Sequence, residues 1–152
     1  MAGQWLLDPA DITISNGATT AVNDPNFIPS ATASVVSVAS IVNALNNGTN
    51  VTITTGGDAF AGNGDITVAN AITGVTGTGS LTLSAFRNIL INAAITLNGG
   101  NLTLQSMNNV ASTSGYINVA GALTTNGGNI TIGGGTVLAT GYAKPPVADG
   151  SD

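Results

Sequence analysis

GDITVANAIT (64–73), RNILINAAIT (87–96) and GYINVAGALT (115–124) share one ten-residue frame, and this repeat decides the fold of the chain. Each copy contains a short apolar segment followed closely by a second one, so two series of short strands are predicted. They are Ile66-Thr67-Val68, Ile89-Leu90-Ile91 and Ile117-Asn118-Val119, then Ala71-Ile72-Thr73, Ala94-Ile95-Thr96 and Ala122-Leu123-Thr124. Self-similarity of this kind is typical of architectures in which one structural unit stacks on the next.

A further series of triplets recurs outside this frame. It reads Val51-Thr52-Ile53, Leu81-Thr82-Leu83, Leu102-Thr103-Leu104 and Ile130-Thr131-Ile132. Each triplet alternates apolar, polar, apolar, which is the period-2 pattern of a strand with one buried face. The turn before two of these triplets also recurs, as LNGGN (97–101) and TNGGN (125–129). The spacing of the triplets varies, but the order of elements does not.

Three such strands per repeat, joined by Gly and Asn corners, are too short to form long hairpins. If equivalent strands of successive repeats pair in parallel, unpaired edges remain only at the two ends of the stack. Parallel crossover connections are right-handed by default. We therefore predict an all-β fold, a right-handed parallel β-helix (β-solenoid) of about three to four coils.

The alternation also predicts which side chains point into the core. The expected inward residues are Leu81, Leu83, Ile89, Ile91, Ile95, Leu102, Leu104, Ile117, Val119, Leu123, Ile130 and Ile132. The expected outward residues are Thr82, Leu90, Thr103, Asn118 and Thr131.

The domain organisation follows from where the repeat is regular. Residues 1–143 are predicted to form a single β-helix domain, in which 1–50 are an irregular amino-terminal capping part and 51–138 the regular coils. Residues 144–152 contain Lys144-Pro145-Pro146 and an acidic end, which indicate a tail or linker.

Within the capping part, Asp11–Ser15 is predicted to be a strand and 16–33 a loop, because the loop contains Gly and Pro. Residues 37–48 show helical spacing of apolar positions, with Ser37 as the expected amino-terminal cap and Gly48 as the end. We expect this short helix to cover one end of the stack, with Trp5 packed against the first coil.

The composition excludes several classes of function. Charged residues make up 6% of the chain, against roughly 25% in an average globular protein. The chain has no Glu, His or Cys, and its two cations are Arg87 and Lys144. Nucleic-acid binding, attraction to anionic membranes, His or Cys metal sites and His-dependent catalytic triads are therefore not expected. No cofactor, no disulfide and no transmembrane helix are predicted.

Several stretches of the sequence together resemble a known family. Trp5-Leu6-Leu7-Asp8-Pro9 and the following Asp11-Ile12-Thr13-Ile14, together with IVNALNNGTNVTITT (41–55) and TNGGNITI (125–132), resemble two-partner-secreted exoproteins of the filamentous haemagglutinin type. The resemblance covers about residues 4–135. It implies a secreted or cell-surface protein of a Gram-negative bacterium, with a β-helical shaft that acts in adhesion, biofilm formation or contact-dependent growth inhibition. Because no amino-terminal secretion domain is recognised, a shaft segment or a reduced relative is expected.

Candidate site residues lie mainly on the predicted outer face. Outward Thr52, Thr82, Thr103 and Thr131 are expected to stack into a ladder with a spacing of about 4.8 Å. Such ladders can bind ice or glycans, but Thr is also common in strands because it packs well there. The next outward positions, Thr54, Ser84, Gln105 and Gly133, break a second row of Thr. This favours the plain structural interpretation.

Two other groups of residues have a functional and a structural interpretation. Asn47, Asn50, Asn101 and Asn129 lie in Asn-x-Thr sequons, which mark glycosylation sites. Turn Asn followed by strand Thr produces the same pattern without modification, and we expect these residues to be unmodified.

Asp58 and Asp65 suggest a calcium or acid–base pair, but their Gly-rich surroundings favour turn chemistry.

The function predicted from the sequence is mechanical. The chain is expected to be a structural or adhesive shaft segment, with host-surface or matrix glycans or proteins as candidate partners. A self-assembling fibre subunit that stacks end to end is the first alternative, and a polysaccharide-active β-helix enzyme is the second. Scattered Asp residues and scarce cations argue against catalysis.

Overall fold

The computed structural model describes residues 4–7, 11–20, 22–23, 28–29, 33–56, 63–109 and 112–139. The tail expected at 144–152 lies outside these residues. In the described part the chain forms fifteen strands and one helix: β1 (Gln4–Leu7), β2 (Asp11–Ser15), β3 (Val22–Asn23), β4 (Ile28–Pro29), β5 (Ala33–Ser37), α1 (Val38–Asn46), β6 (Asn50–Thr54), β7 (Ile66–Val68), β8 (Leu81–Ser84), β9 (Ile89–Ile91), β10 (Ile95–Thr96), β11 (Leu102–Gln105), β12 (Tyr116–Val119), β13 (Leu123–Thr124), β14 (Ile130–Gly133) and β15 (Thr136–Leu138). The all-β class predicted from the sequence is confirmed.

The strands form two parallel sheets and a shorter parallel row. The first sheet has the order β1-β6-β8-β11-β14, and the second has the order β15-β12-β9-β7-β2-β5. The third row consists of the pair β10-β13, extended by a parallel bridge between Ile72 and Ile95. Neighbours within the regular part of each sheet come from successive repeats, so each repeat contributes to all three rows in the same order.

The repeat alignment of the sequence is also the pairing register of the sheets. In the first sheet Thr52 pairs with Thr82, Thr82 with Thr103, and Thr103 with Thr131. In the second sheet Ile66 pairs with Ile89, and Ile89 with Ile117. Equivalent residues therefore form straight columns across the strands.

The columns of aliphatic residues form the core. Eight of the side chains expected to point inward are fully buried: Leu81, Leu83, Ile89, Ile91, Ile95, Leu102, Leu104 and Ile117. Each buried aliphatic side chain contributes about 1.5–3 kcal/mol relative to full exposure. Thr82, Leu90, Thr103 and Asn118, expected outside, are half-buried, and Thr131 is exposed. The period-2 prediction is confirmed for these residues.

The last repeat differs from this expectation. Ile130 is 43% exposed, and Val119, Leu123 and Ile132 are only partly buried. Ile130 pairs with Leu102 and so belongs to an inner column. It remains exposed because β14 is the last strand of the first sheet in the described part of the chain. Ile130 therefore occupies the inner position predicted from the sequence, but its side chain is not buried.

The amino-terminal part is more regular than the sequence indicates. Strand β1 pairs with β6, with Trp5 opposite Val51, and β2 pairs with β7, with Ile12 opposite Ile66. Both strands continue the register of the repeats, and Trp5 belongs to β1, the terminal strand of the first sheet. The packing of Trp5 against the first coil stays a prediction. The segment 16–33, expected to be a loop, contains the short antiparallel pair β3–β4. Strand β5 was not expected, and it pairs in parallel with β2.

Helix α1 covers the core beside β5 and β6. Its apolar face, formed by Val38, Ile41, Ala44 and Leu45, is buried in the same core as the strand residues. The Ser37 hydroxyl makes no capping hydrogen bond, in contrast to the expectation.

The helix ends as the sequence predicts. Gly48 has a φ of +73°, its N–H donates to the carbonyl of Leu45 at 3.0 Å, and the N–H of Thr49 donates to Ala44 at 3.0 Å. This pair of bonds is a Schellman motif, in which glycine allows the left-handed turn. The N–H of Gly79 also donates to the Leu45 carbonyl at 3.3 Å, which ties the helix to the next repeat.

Replacement of Ile91 by Asp is expected to unfold the protein or abolish its soluble expression. The Ile91 side chain is fully buried, and an unpaired carboxylate in an apolar core costs several kcal/mol, a large share of a typical folding free energy. Thr82→Ser, on the outer face, is the control and is expected to change the thermal midpoint little. Equal midpoints for Ile91→Asp and the unmodified chain, measured by circular dichroism, would contradict the core assignment.

Candidate interaction surface

The predicted threonine ladder forms on the outer face of the first sheet. Thr52, Thr82, Thr103 and Thr131 pair in direct succession, so neighbouring hydroxyls repeat at about the 4.8 Å spacing of paired strands. Their side chains are half-buried except for the exposed Thr131. By register, Leu6 takes the position before Thr52. The ladder is therefore a single row of four hydroxyl groups.

The neighbouring outward row is mixed, as the sequence indicates. Thr54 pairs with Ser84, Ser84 with Gln105, and Gln105 with Gly133. A second continuous row of Thr, which a regular ice-like lattice requires, is thus missing from this sheet.

A ladder of hydrogen bonds runs along the corner that precedes the first sheet. Asn50 Oδ1 accepts the N–H of Ser80 at 3.0 Å, Ser80 Oγ accepts the N–H of Asn101 at 3.0 Å, and Asn101 Oδ1 accepts the N–H of Asn129 at 2.9 Å. Each side chain thus satisfies a backbone donor in the next repeat. This ladder was not predicted from the sequence, although the recurring LNGGN (97–101) and TNGGN (125–129) turns were its signal.

This ladder gives three of the sequon residues a structural role. Asn50 and Asn101 accept hydrogen bonds through their side chains, and Asn129 donates its backbone N–H. Asn47 is the carboxyl-terminal cap residue of α1, and its N–H donates to the carbonyls of Asn43 and Ala44 at 3.2 Å. All four asparagines are exposed. Their lack of glycosylation stays a prediction.

A second ladder runs along the corner that precedes the second sheet. Asp11 Oδ1 accepts the N–H of Asp65 at 2.8 Å, Asp65 Oδ1 accepts the N–H of Asn88 at 3.0 Å, and Asn88 Oδ1 accepts the N–H of Tyr116 at 3.0 Å. These bonds give Asp65 a structural role at the corner, where it joins successive repeats. Asp58 lies outside the described residues, so the pair Asp58–Asp65 is not placed by the structure.

Arg87 is paired with Asp65 in a two-point contact. Arg87 Nε lies 2.9 Å from Asp65 Oδ1, and Arg87 Nη2 lies 2.7 Å from Asp65 Oδ2. The hydrogen bond to Asp65 raises the pKa of Arg87, and its partial desolvation acts in the opposite direction. Because the Arg87 guanidinium is already hydrogen-bonded to the Asp65 carboxylate, Arg87 is poorly suited to bind an anionic substrate.

A cavity of about 300 Å³ opens at the carboxyl ends of β6 and β8 in the first sheet. Its described lining residues are uncharged and mostly polar: Thr54, Thr55, Gly56, Ser84, Phe86, Asn108 and Asn109. The sequence did not predict this cavity, because Asn108 and Asn109 lie in an irregular connection between repeats.

Comparison of this chain with protein-family models, with curated proteins and with solved structures gives no match. In the part of the chain that the structure describes, no helix has the length and apolar character needed to cross a membrane. The same residues contain no group of three or more His, Cys, Asp or Glu side chains placed to hold a metal ion. The interaction surface is therefore interpreted from its own geometry.

The corner ladders predict a difference between two substitutions at Asp65. Asp65→Asn keeps an acceptor for the Asn88 N–H and loses only the partly exposed ion pair, so a loss of about 0.5 kcal/mol is expected. Asp65→Ala also leaves the Asn88 N–H without its acceptor, and a further loss of about 1–2 kcal/mol is expected. Urea unfolding of both variants measures the two free energies. Equal destabilisation by Asn and Ala would show that the ladder bond contributes nothing.

Proposed function

We propose that this chain is a right-handed parallel β-helix of about three to four coils. The support comes from the path of the chain. From β6 it passes to β7, to the third row at Ile72 and then to β8, and the next repeat follows the same order through β9 and β10 to β11. A chain that visits three parallel rows in a constant order and returns one strand further along describes a coil. Parallel crossovers are almost always right-handed.

The proposed role is that of a structural shaft segment of a secreted or cell-surface protein of a Gram-negative bacterium. The observation that carries this proposal is the register: equivalent residues stack directly in all three rows. Backbone hydrogen bonds and corner ladders then run in one direction, along the stack. Additional repeats would lengthen such a stack without changing its cross-section. This property suits a spacer that holds adhesive surfaces away from the cell.

The surface chemistry fits adhesion better than catalysis. The outer face offers hydroxyls and amides in place of charges, and its described cation, Arg87, is bound by Asp65. Host-surface or matrix glycans or proteins are the partners that this surface suits. The proposal assigns no enzymatic activity to the chain and no cofactor.

The proposal predicts that the purified chain is compact and resists proteolysis. Because a β-helix leaves few extended segments accessible, proteinase K is expected to leave a fragment that contains β6 to β14, while it rapidly degrades the same chain unfolded in urea. Mass spectrometry of the digest identifies the fragment. Cleavage of the folded chain within β8 or β11 as fast as in the unfolded chain would contradict the shaft role.

Adhesion is measured separately. Beads coated with the chain are expected to attach to immobilised extracellular matrix more strongly than uncoated beads. Attachment at the level of uncoated beads would remove the adhesive part of the proposal, whereas the proteolysis result would still decide the structural part.

A self-assembling fibre subunit is the second candidate function. Ile130, Val137 and Leu138 are 43–45% exposed, and β14 and β15 are the last described strands of their sheets. Unpaired strand edges beside exposed apolar side chains tend to recruit further strands. At the other end α1 covers part of the core, so a second copy would be joined mainly through the edges of β1 and β5.

The fibre candidate predicts concentration-dependent association. Val137→Asp places a charge on the exposed inner column and is expected to weaken association, whereas Thr136→Ser on the same strand is the control. Sedimentation velocity across a wide range of concentrations checks both variants. A strictly monomeric unmodified chain would remove the fibre candidate.

A further inference from the structure

We propose that the cavity at the carboxyl ends of β6 and β8 is a binding site for a neutral saccharide. The cavity has a volume of about 300 Å³ and is lined by Thr54, Ser84, Phe86, Asn108 and three neighbouring residues. The inference rests on the proposed adhesive function and gives it a specific site and a class of ligand.

The cavity lies where three connections of unequal length meet. The connection from the first to the second sheet runs over 55–65 in one repeat, over 85–88 in the next, and over 106–115 in the third. The short middle corner, which holds Phe86, is flanked by longer ones that supply Thr55 and Gly56 on one side and Asn108 and Asn109 on the other. The cavity thus occurs where the connections differ from repeat to repeat, whereas the corner ladders are formed by residues at equivalent positions of successive repeats.

Phe86 is held firmly in the wall of the cavity. A β-carbon at Gly64 would lie 2.6 Å from the β-carbon of Phe86, so the Phe86 side chain packs directly on the Gly64 backbone. The N–H of Phe86 donates to Thr55 Oγ1 at 3.0 Å, and the Thr55 hydroxyl donates to the carbonyl of Gly64 at 2.6 Å. Only glycine at residue 64 allows this approach, and Phe86 as a whole remains partly exposed.

Asn108 is held in position in the same way. Its N–H donates to the carbonyl of Ala85 at 3.1 Å, and its Nδ2 donates to the carbonyls of Thr55 at 3.2 Å and Ser84 at 3.0 Å. Nδ2 also lies 3.1 Å from Ser84 Oγ. Because the amide hydrogens bind the protein, the group that Asn108 offers to a ligand is the acceptor Oδ1. Ser84, whose Oγ accepts a bond from Asn108, offers its hydroxyl hydrogen.

These groups match the chemistry of a sugar ring. A pyranose has a face of C–H groups that packs on an aromatic ring, and hydroxyls that both donate and accept hydrogen bonds. Phe86 supplies the ring, and Thr54, Ser84 and Asn108 supply hydroxyl and amide partners beside it. A volume of about 300 Å³ is at the small end of ligand pockets, which suits a mono- or disaccharide.

The described part of the lining favours neutral sugars. None of its seven residues is ionisable, so the carboxylate of a uronic or sialic acid would lose its hydration without gaining a cation from them. Arg87, next to Phe86 in the sequence, is paired with Asp65. The net charge of −5 also disfavours anionic ligands.

Saturation-transfer NMR on the full chain tests the proposal. The probes are lactose, cellobiose, maltose and N,N′-diacetylchitobiose, with a heparin disaccharide as the anionic comparison. We expect at least one neutral probe to bind with a dissociation constant on the order of 1 mM and the heparin probe not to bind. Phe86→Leu keeps an apolar side chain on Gly64 but removes the aromatic face, and it is expected to weaken binding about three- to tenfold.

Two further variants make the result decisive. Ser84→Ala removes one hydroxyl without changing the ring and is also expected to weaken binding, so the test does not depend on Phe86 alone. Thr131→Ala, in the threonine ladder but outside the cavity, is the control and is expected to bind normally. Thermal midpoints confirm that each variant is folded.

Three outcomes would overturn the proposal: no binding of any neutral probe, stronger binding of the heparin disaccharide, or loss of binding in Thr131→Ala and not in the two cavity variants. None of them contradicts the shaft itself, because proteolysis and bead attachment to matrix proteins are measured independently.

Discussion

Pairing of each short strand with its equivalents in the neighbouring repeats is the interaction on which the rest of the structure depends. A three-residue strand gains few hydrogen bonds, while ordering each residue costs about 1–2 kcal/mol. Strand β9 is stable because β7 and β12 pair with it on both sides and because Ile89 and Ile91 enter continuous buried columns. A register shift of one residue would turn Leu90 into the core and these isoleucines outward, so the apolar columns and the backbone pairing enforce each other.

The corners set how closely the repeats approach. At one corner Gly79, Gly100 and Gly128 lie above one another, and a β-carbon at Gly100 or Gly128 would overlap the carbonyl oxygen of the glycine in the preceding repeat. Only glycine permits this contact. Directly after these glycines, the ladder through Ser80 and Asn101 satisfies the backbone donors that the turns expose. At the corners, Gly thus allows the repeats to approach closely, and Asn satisfies backbone donors. These contacts stabilise the fold where other small folds use ion pairs or disulfides.

The repeating part of the fold was predictable because short stretches of sequence contain the patterns that determine it. Alternation placed Leu81 and Leu83 inside, and the shared frame placed Ile89 and Ile117 in one column. Features that depend on a neighbour were not predictable. Ile130 has the same pattern as Leu102, but its burial requires a further strand. Strand β5 pairs with β2 although its sequence does not match the repeat. The cavity at Asn108 depends on the relative lengths of three corners, and no single stretch of sequence contains that comparison.

Scarcity of charge connects the architecture with the proposed recognition. An outer face exposed on every repeat must be polar to stay in water, and here Thr, Ser and Asn provide that polarity. Placed in columns, identical charges would repel one another at about 4.8 Å, whereas hydroxyls and amides at this spacing hydrogen-bond to the next repeat. The single described ion pair, Arg87–Asp65, joins opposite charges across two repeats. A stack with so few charged residues exerts little long-range electrostatic attraction on a partner. The recognition that we propose would therefore act at short range, by shape and hydrogen bonds, where the regular surface is interrupted around Phe86.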